Sequence, residues 1–148
     1  YSPLFKYSWS KVYPTLLEVA KVNEINPFDG FLMQYSNPLT GGHVMQTMGA
    51  AMQLLPAGFK GKAHKHTGSF VYQCAKGSGY TIINGQRFDW KERDIFCVPS
   101  WAWHEHHNAS DSEDACLFNF NDLPVIESLG LFQGRTYEEN NGHQLITK

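Results

Sequence analysis

Between Ser69 and Trp90 the chain reads SFVYQCAKGSGYTIINGQRFDW. Short β-rich runs stand on either side of Asn84-Gly85, the dipeptide best suited to the two positive-φ positions of a tight hairpin turn. The stretch predicts strands over Ser69–Ala75, Tyr80–Ile83 and Arg87–Trp90, with Gly77-Ser78-Gly79 ending the first. Outward from it the same rhythm continues. Val44–Leu55 reads as a strand closed by Pro56-Ala57-Gly58, followed by short runs at Lys62–His66, Asp94–Val98, Trp101–His107 and Ala115–Phe120. Many short strands with almost no helix between them predict an all-β barrel or sandwich. Past Asn121-Asp122 the tail reads as irregular and polar.

The first 38 residues differ, mixing aromatics with Pro3, Pro14, Pro27 and Pro38. Thr15–Lys21 reads as a short helix with Pro14 in its first turn; the rest reads as an extended arm. Its aromatics (Phe5, Tyr7, Trp9, Tyr13, Phe28, Phe31, Tyr35) must pack on their own barrel or on a neighbouring chain. The expected organisation is an arm over residues 1–42, a barrel over 43–123 and a tail over 124–148. An aromatic arm and an open sheet edge point to a homo-oligomer, a dimer or tetramer.

Composition narrows the function. A chain of 148 residues is one ordinary domain, and 42% hydrophobic content excludes disorder. The net charge of -2 and the absence of a basic stripe argue against nucleic acid. No apolar run is long enough for a bilayer. Cys74, Cys97 and Cys116 each sit in an apolar run and read as buried free thiols. With no secretory pattern in Tyr1–Trp9, they point to a reducing, cytoplasmic location.

The 7 histidines are clustered. His64 and His66 stand two apart in a strand-like segment and therefore share a face. His104 and His106 do the same in Trp103-His-Glu-His-His107. Two strands can thus aim three or four imidazoles at one point, and neutral imidazole suits iron, zinc, copper or nickel. An isolated His-x-His pair is more often a solvated or core feature; the flanking turn residues add the information here.

Gly58-(x5)-His64-x-His66-(x10)-Gly77 resembles the first motif of the cupin superfamily. Arg93-(x5)-Pro99-(x4)-His104-(x3)-Asn108 resembles its second. There are departures: the family's metal-binding glutamate falls on Phe70, the glycine opening the second motif on Arg93, and the glycine after the proline on Trp101. Three histidines without a carboxylate resemble the cupin ring-cleaving dioxygenases that act on gentisate, salicylate and 1-hydroxy-2-naphthoate. Tyr35-Ser-Asn-Pro-Leu-Thr-Gly-Gly42, His64-Lys-His-Thr-Gly-Ser69, Phe88-Asp-Trp90, Asp94-Ile-Phe-Cys-Val-Pro-Ser-Trp-Ala-Trp-His-Glu-His106 and Cys116-Leu-Phe-Asn-Phe-Asn-Asp-Leu-Pro124 look like gentisate 1,2-dioxygenases in particular. In that two-barrel family the match is to the second, C-terminal barrel.

The resemblance implies a cupin double-stranded β-helix, a jelly roll, with an N-terminal arm. It implies Fe(II) held by His64, His66 and His104, an aromatic hydroxy acid as substrate and O2 as co-substrate. Three neutral ligands leave the metal its full charge, which a chelating carboxylate and phenolate can balance. For gentisate the family product is maleylpyruvate. His106, two after the third ligand, would contact substrate or oxygen, or be a core histidine. Gln53 falls where the family has a substrate-contacting glutamine; otherwise it is an outward strand residue. Tyr72 shares the face of Phe70 and would line the pocket where relatives carry a carboxylate-binding arginine. Arg87 and Lys62 are the substitute cations, or solvated strand ends. Trp101 and Trp103 read as core or pocket wall, His107 as surface, and His43 and His143 carry no pattern. Two alternatives stay open: an accessory, non-catalytic barrel supporting assembly with or without metal, and a metal-dependent cupin of different chemistry.

Overall fold

The computed structural model describes residues 6–147. In chain order it runs α1 (Trp9–Val22), β1 (Phe31–Gln34), β2 (Gly49–Leu55), β3 (His64–His66), β4 (Phe70–Lys76) and β5 (Ser78–Ile83). Then come β6 (Gln86–Lys91), β7 (Ile95–Val98), β8 (His104–Asn108), β9 (Ala115–Asn121), α2 (Leu123–Ser128) and β10 (Gly134–Thr136), with a 3-10 turn at Asn140–Gly142. Two five-stranded antiparallel sheets result, ordered β1-β2-β9-β4-β7 and β10-β3-β8-β5-β6. This is the jelly-roll barrel of the cupin fold.

Asn84 and Gly85 take φ of 47° and 79°, and Ile83 pairs with Gln86 across the expected two-residue turn. Side-chain alternation then builds the core. Phe70, Tyr72 and Cys74 of β4 and Ala115 and Leu117 of β9 meet Leu55, Trp90 and Val98 between the sheets. The opposite face of β2 and β9, with Met52, Leu54 and Cys116, is covered by Val12 and Leu16 of α1. Both faces of β2 are therefore buried, which explains its nearly unbroken apolar run.

The helix is longer than the sequence predicts. Pro14 lies inside it, not in its first turn, on the solvent face. Val12, Tyr13, Leu16, Leu17 and Ala20 form one apolar stripe. Burying Val12 and Leu16 contributes about 1.5–3 kcal/mol each, enough to offset an interior proline of about 3 kcal/mol. The arm's aromatics pack on their own barrel: Tyr35 and Tyr13 join the same cluster. Pro3 and Phe5 lie outside the described residues.

Several other expectations are corrected. β2 begins at Gly49, not Val44, because Val44–Met48 is a loop. Ser78 and Gly79 belong to β5, so only Gly77 makes the turn. The tail is not irregular: it forms α2 and β10, and β10 pairs with β3. Cys97 is exposed, because Phe96 and Val98 take the inward positions of an edge strand. Cys74 and Cys116 are buried free thiols, and burial pushes them up to about 11 and about 12. Arg93 and Trp101, at positions where cupins use glycine, hold the left-handed conformation, with φ of 77° and 65°.

Candidate metal centre

The register of the second sheet sets His64 of β3 directly opposite His104 of β8. His66, two along β3, shares their face. The ring centroids lie 5.2 Å (His64–His66), 4.5 Å (His64–His104) and 5.0 Å (His66–His104) apart, and one ligand nitrogen from each falls within 4.8 Å of the others. His104 is buried; His64 and His66 are partly exposed to a cleft of about 1080 Å³.

Hydrogen bonds fix the tautomers. Nδ1–H of His104 donates to the Ala102 carbonyl at 3.0 Å, and that of His66 to the Thr67 carbonyl at 3.1 Å. Each ring is thereby left with a bare Nε2. The Nε2 atoms of His64 and His104 are buried without a partner. An unsatisfied buried nitrogen is costly, and two sharing one focus with a third imidazole fit a divalent cation. Backbone carbonyls that orient the far side of the His66 and His104 rings are what such ligands require. Burial, followed by the neighbouring imidazoles, pulls His64 down to about 4 and His104 to about 3. Burial thus favours the neutral form of these two rings, the form a metal ligand requires.

The other expected site residues are distributed around this focus. Gln53 is a buried, inward-facing residue of the cleft wall, and its Nε2 donates to Asp29 Oδ1 at 2.9 Å. Tyr72 also lines the cleft, stacked between Phe70 and Phe96. Burial, then the charge of Asp29, raises its phenol well above the usual range. His106 is fully buried behind Tyr72, at 4.8 Å between ring centroids, and stays off the cleft wall. Its Nδ1 meets Thr81 Oγ1 at 2.9 Å, and the same hydroxyl accepts from Trp90 Nε1 at 3.0 Å. The Thr81 hydroxyl is then free to donate to His106, leaving an Nε2–H where His104 has a lone pair. Phe70 stands 4.9 Å from His66, ring to ring, at the position where the cupin motif carries its metal-binding glutamate.

The substitute cations fall elsewhere. Arg87 pairs with Asp89 and lies over Tyr80, and Lys62 is exposed; neither lines the cleft. Its cations are Lys65 and Arg135, and Lys65 also lies 4.6 Å from the rings of Trp101 and Trp103. Arg135 was missed because it reaches the site through β10. His43 likewise reaches the cleft wall, joined to Glu127 at 3.1 Å.

Sequence reasoning also missed Asp29. It comes from the turn Asn26-Pro-Phe-Asp-Gly30, and its Oδ1 lies 3.6 Å from His64 Nε2. Burial raises its carboxyl to about 6, against the opposing effects of His66 and the Gln53 amide. Asn-Pro and Asp-Gly are turn signals, so the turn was legible but its destination was not.

The second face of β8 holds another cluster. His107 is buried, not on the surface, because Tyr80 stacks on it at 4.6 Å and the tail covers it. His107 Nε2 and His143 Nδ1 both contact Glu105 Oε2, at 2.9 and 2.8 Å, and Gln144 N–H donates to Oε1 at 2.7 Å. Burial pushes the Glu105 carboxyl up, but these donors together hold it below its ordinary value.

Comparison with known proteins agrees with this fold. The cupin domain family model matches residues 51–120. The chain carries a cupin domain. It is 39% identical over 98% of its length to the 5-aminosalicylate 1,2-dioxygenase of Comamonas sp, covering 38% of that protein. To gentisate 1,2 dioxygenase 1 of Aquipseudomonas alcaligenes it is 37% identical over 89% of its length, covering 37% of that protein. The salicylate 1,2-dioxygenase structure from Pseudaminobacter salicylatoxidans superposes with a TM-score of 0.79 at 28% identity, over 87% of this cupin and 38% of that chain. This cupin thus spans a little over a third of the length of the relatives it matches. Among the described residues no helix is long and apolar enough to cross a membrane.

Proposed function

We propose that this cupin is a ring-cleaving dioxygenase barrel of the gentisate 1,2-dioxygenase class, with Fe(II) held by His64, His66 and His104. The observation that carries the reading is the set of imidazole nitrogens turned to one focus, two of them buried and unpartnered, in the wall of a substrate-sized cleft. Three protein ligands on one side of a metal leave open positions for a chelating 2-hydroxybenzoate and O2. What bound iron contributes is a redox link between an electron-rich ring and dioxygen.

The chain's own residues bind and orient. Phe70, Tyr72 and Phe132 supply apolar wall against an aromatic ring. The Tyr72 phenol stays protonated at neutral pH and donates a hydrogen bond to a substrate oxygen. His106 holds Tyr72 from behind. Lys65 and Arg135 are the cleft's Lys and Arg, set among Glu127, Glu138 and Glu139, and are the groups that would pair with a substrate carboxylate. Gentisate, salicylate and 5-aminosalicylate share the chelating pair and differ only away from it. The reading also places the protein in the cytoplasm, as a dimer or tetramer.

The test loads the chain with Fe(II) without oxygen, adds gentisate, salicylate, 5-aminosalicylate or 1-hydroxy-2-naphthoate, and then admits air. Ring opening, followed by the product's absorbance, is the expected result. Metal uptake without turnover on any of the four would instead identify an accessory barrel. A chain that takes up no metal removes the reading altogether.

A further inference from the structure

We propose that Asn119, turned and held by Asn121, sets the specificity of the cleft by presenting a hydrogen-bond donor to the substrate edge that faces away from the histidines. The class it selects is a 2-hydroxybenzoate with a further oxygen across the ring from its chelating pair, gentisate being one. The inference rests on the ring-cleaving reading above and deepens it. Its basis is a chain of amides whose direction is set at one end. Leu123 N–H can only donate, and the atom it meets at 3.1 Å is Asn121 Oδ1. The Asn121 NH2 group is therefore on the other side, where it donates to Asn119 Oδ1 at 3.0 Å. The Asn119 NH2 group is the free end. It makes no hydrogen bond to protein among the described residues, yet it is not sealed in. Asn119 is 1% exposed and lines the cleft, so the little surface it keeps opens there. A backbone N–H thus decides, two side chains away, that the cleft meets a donor and not a carbonyl.

Register puts this donor where a ring edge would arrive. Asn119 lies on β9 between Ala51 of β2 and Tyr72 of β4, and Asn121 lies between Gly49 and Phe70. All are on the inward face of the first sheet, whereas the three histidines stand on β3 and β8 of the second. A Cβ at Gly49 would come within 2.8 Å of Asn121 Oδ1, so the glycine leaves that amide its place. Ser69 N–H donates to Asp122 Oδ1 at 2.8 Å, tying the corner after β9 to the start of β4. A ring chelated at the histidine wall turns its far edge toward this opposite wall. The cleft's cations, Lys65 and Arg135, belong to β3 and β10. The wall of the first sheet therefore offers uncharged donors, Asn119 and Tyr72, which suit a neutral ring oxygen and leave the carboxylate to the cations. A bare ring edge would leave the amide unpaired, the mismatch by which a site built for a hydroxyl rejects an analogue lacking it.

The experiment titrates ligands calorimetrically into the Zn(II)-loaded chain, which binds them without turnover. It uses two pairs matched in size: gentisate with 5-methylsalicylate, and 5-methoxysalicylate with 5-ethylsalicylate. Only the first of each pair has an oxygen on the far edge, and the methoxy oxygen accepts a hydrogen bond but cannot donate one. Wild type is expected to bind the oxygen-bearing member of each pair roughly three- to tenfold more tightly. Asn119→Leu is expected to abolish both advantages. Asn121→Asp keeps the acceptor for Leu123 N–H but now demands a donor from Asn119, whose amide turns over and shows its oxygen to the cleft. The methoxy advantage is then lost while the gentisate advantage persists, because a hydroxyl donates as well as accepts. No advantage in wild type, or both advantages intact in Asn119→Leu, overturns the proposal and leaves the three-histidine site standing. Equal changes of the two advantages in Asn121→Asp also overturn it. Thermal melts check folding, and if Asn119→Leu does not fold the split in Asn121→Asp decides alone. Ligands that bind His104→Ala as tightly as wild type, or that fail to bind wild type at all, remove the metal-centred reading itself.

Discussion

The two faces of β8 carry the same chemical groups and use them in opposite ways. On one face His104 joins His64 and His66; on the other Glu105 joins His107 and His143, and both trios hold their ligand atoms within 4.8 Å. Distance alone does not separate them. Bonding does: the facing atoms of the outer trio are bonded to one another, with Glu105 accepting from both rings and from the Gln144 backbone, and the one buried nitrogen left over, His107 Nδ1, is not the atom that meets Glu105. The inner trio leaves two nitrogens bare. One arrangement bonds its facing atoms within the polypeptide; the other, on the reading proposed above, is completed by a cation. A cluster of histidines signals a metal when its lone pairs have nowhere else to go.

The sharpest way to break this contrast is to remove one ring from each trio. His104→Ala should lower affinity for Fe(II) or Zn(II) at least about a hundredfold, more than the loss of a merely orienting partner. His143→Ala should change it less than about threefold. Calorimetric titration measures both, and equal losses would erase the distinction.

Metal-free stability should order the pair the other way. Glu105→Gln strands donors around a fully buried position and should cost about 2–4 kcal/mol in denaturant unfolding. His64→Ala removes a nitrogen that has no hydrogen-bond partner, and its cost should stay below roughly 2 kcal/mol. The pH dependence sharpens this. Glu105 has a folded pKa below its ordinary 4.5, so its contribution is complete above that value. It is lost as pH falls through the lowered folded pKa. Wild-type unfolding followed below pH 5 should show that loss, and Glu105→Gln should flatten the curve.

The smallest effect concerns the cleft wall. Tyr72→Phe keeps the stacking on Phe70 and Phe96 and deletes one hydroxyl. Substrate affinity should fall about three- to tenfold, one hydrogen bond's worth, with metal affinity unchanged in the same titration.

The barrel was readable from the chain because its signals are local. Asn84-Gly85 fixes a hairpin, strand alternation puts His64 and His66 on one face, and Gly and Pro spacing separates the strands. What escaped depends on which distant segment closes over a surface. His107 sits where alternation placed it, yet it is buried, because Tyr80 and the tail cover that face. Cys97 lies in an apolar run, yet among the described residues nothing covers the outer side of β7 there. Asp29 reaches the site through an arm whose turn was visible but whose landing point was not. Arg135 arrives through a strand hidden in a polar tail. Periodicity reports how a segment faces its own sheet; it does not report what returns to cover the other side.

That hidden strand has a practical bearing. The segment bearing His64 and His66 is three residues long, and it has a hydrogen-bonded neighbour on each side only because Gly134–Thr136 comes back to flank it. Trimming the chain before Gly134 would turn this pair of histidines into a frayed border with β8 as its sole support. Truncations meant to define a minimal active fragment should therefore preserve the carboxy-terminal return, or they will measure the loosening of the ligands and not the chemistry of the barrel.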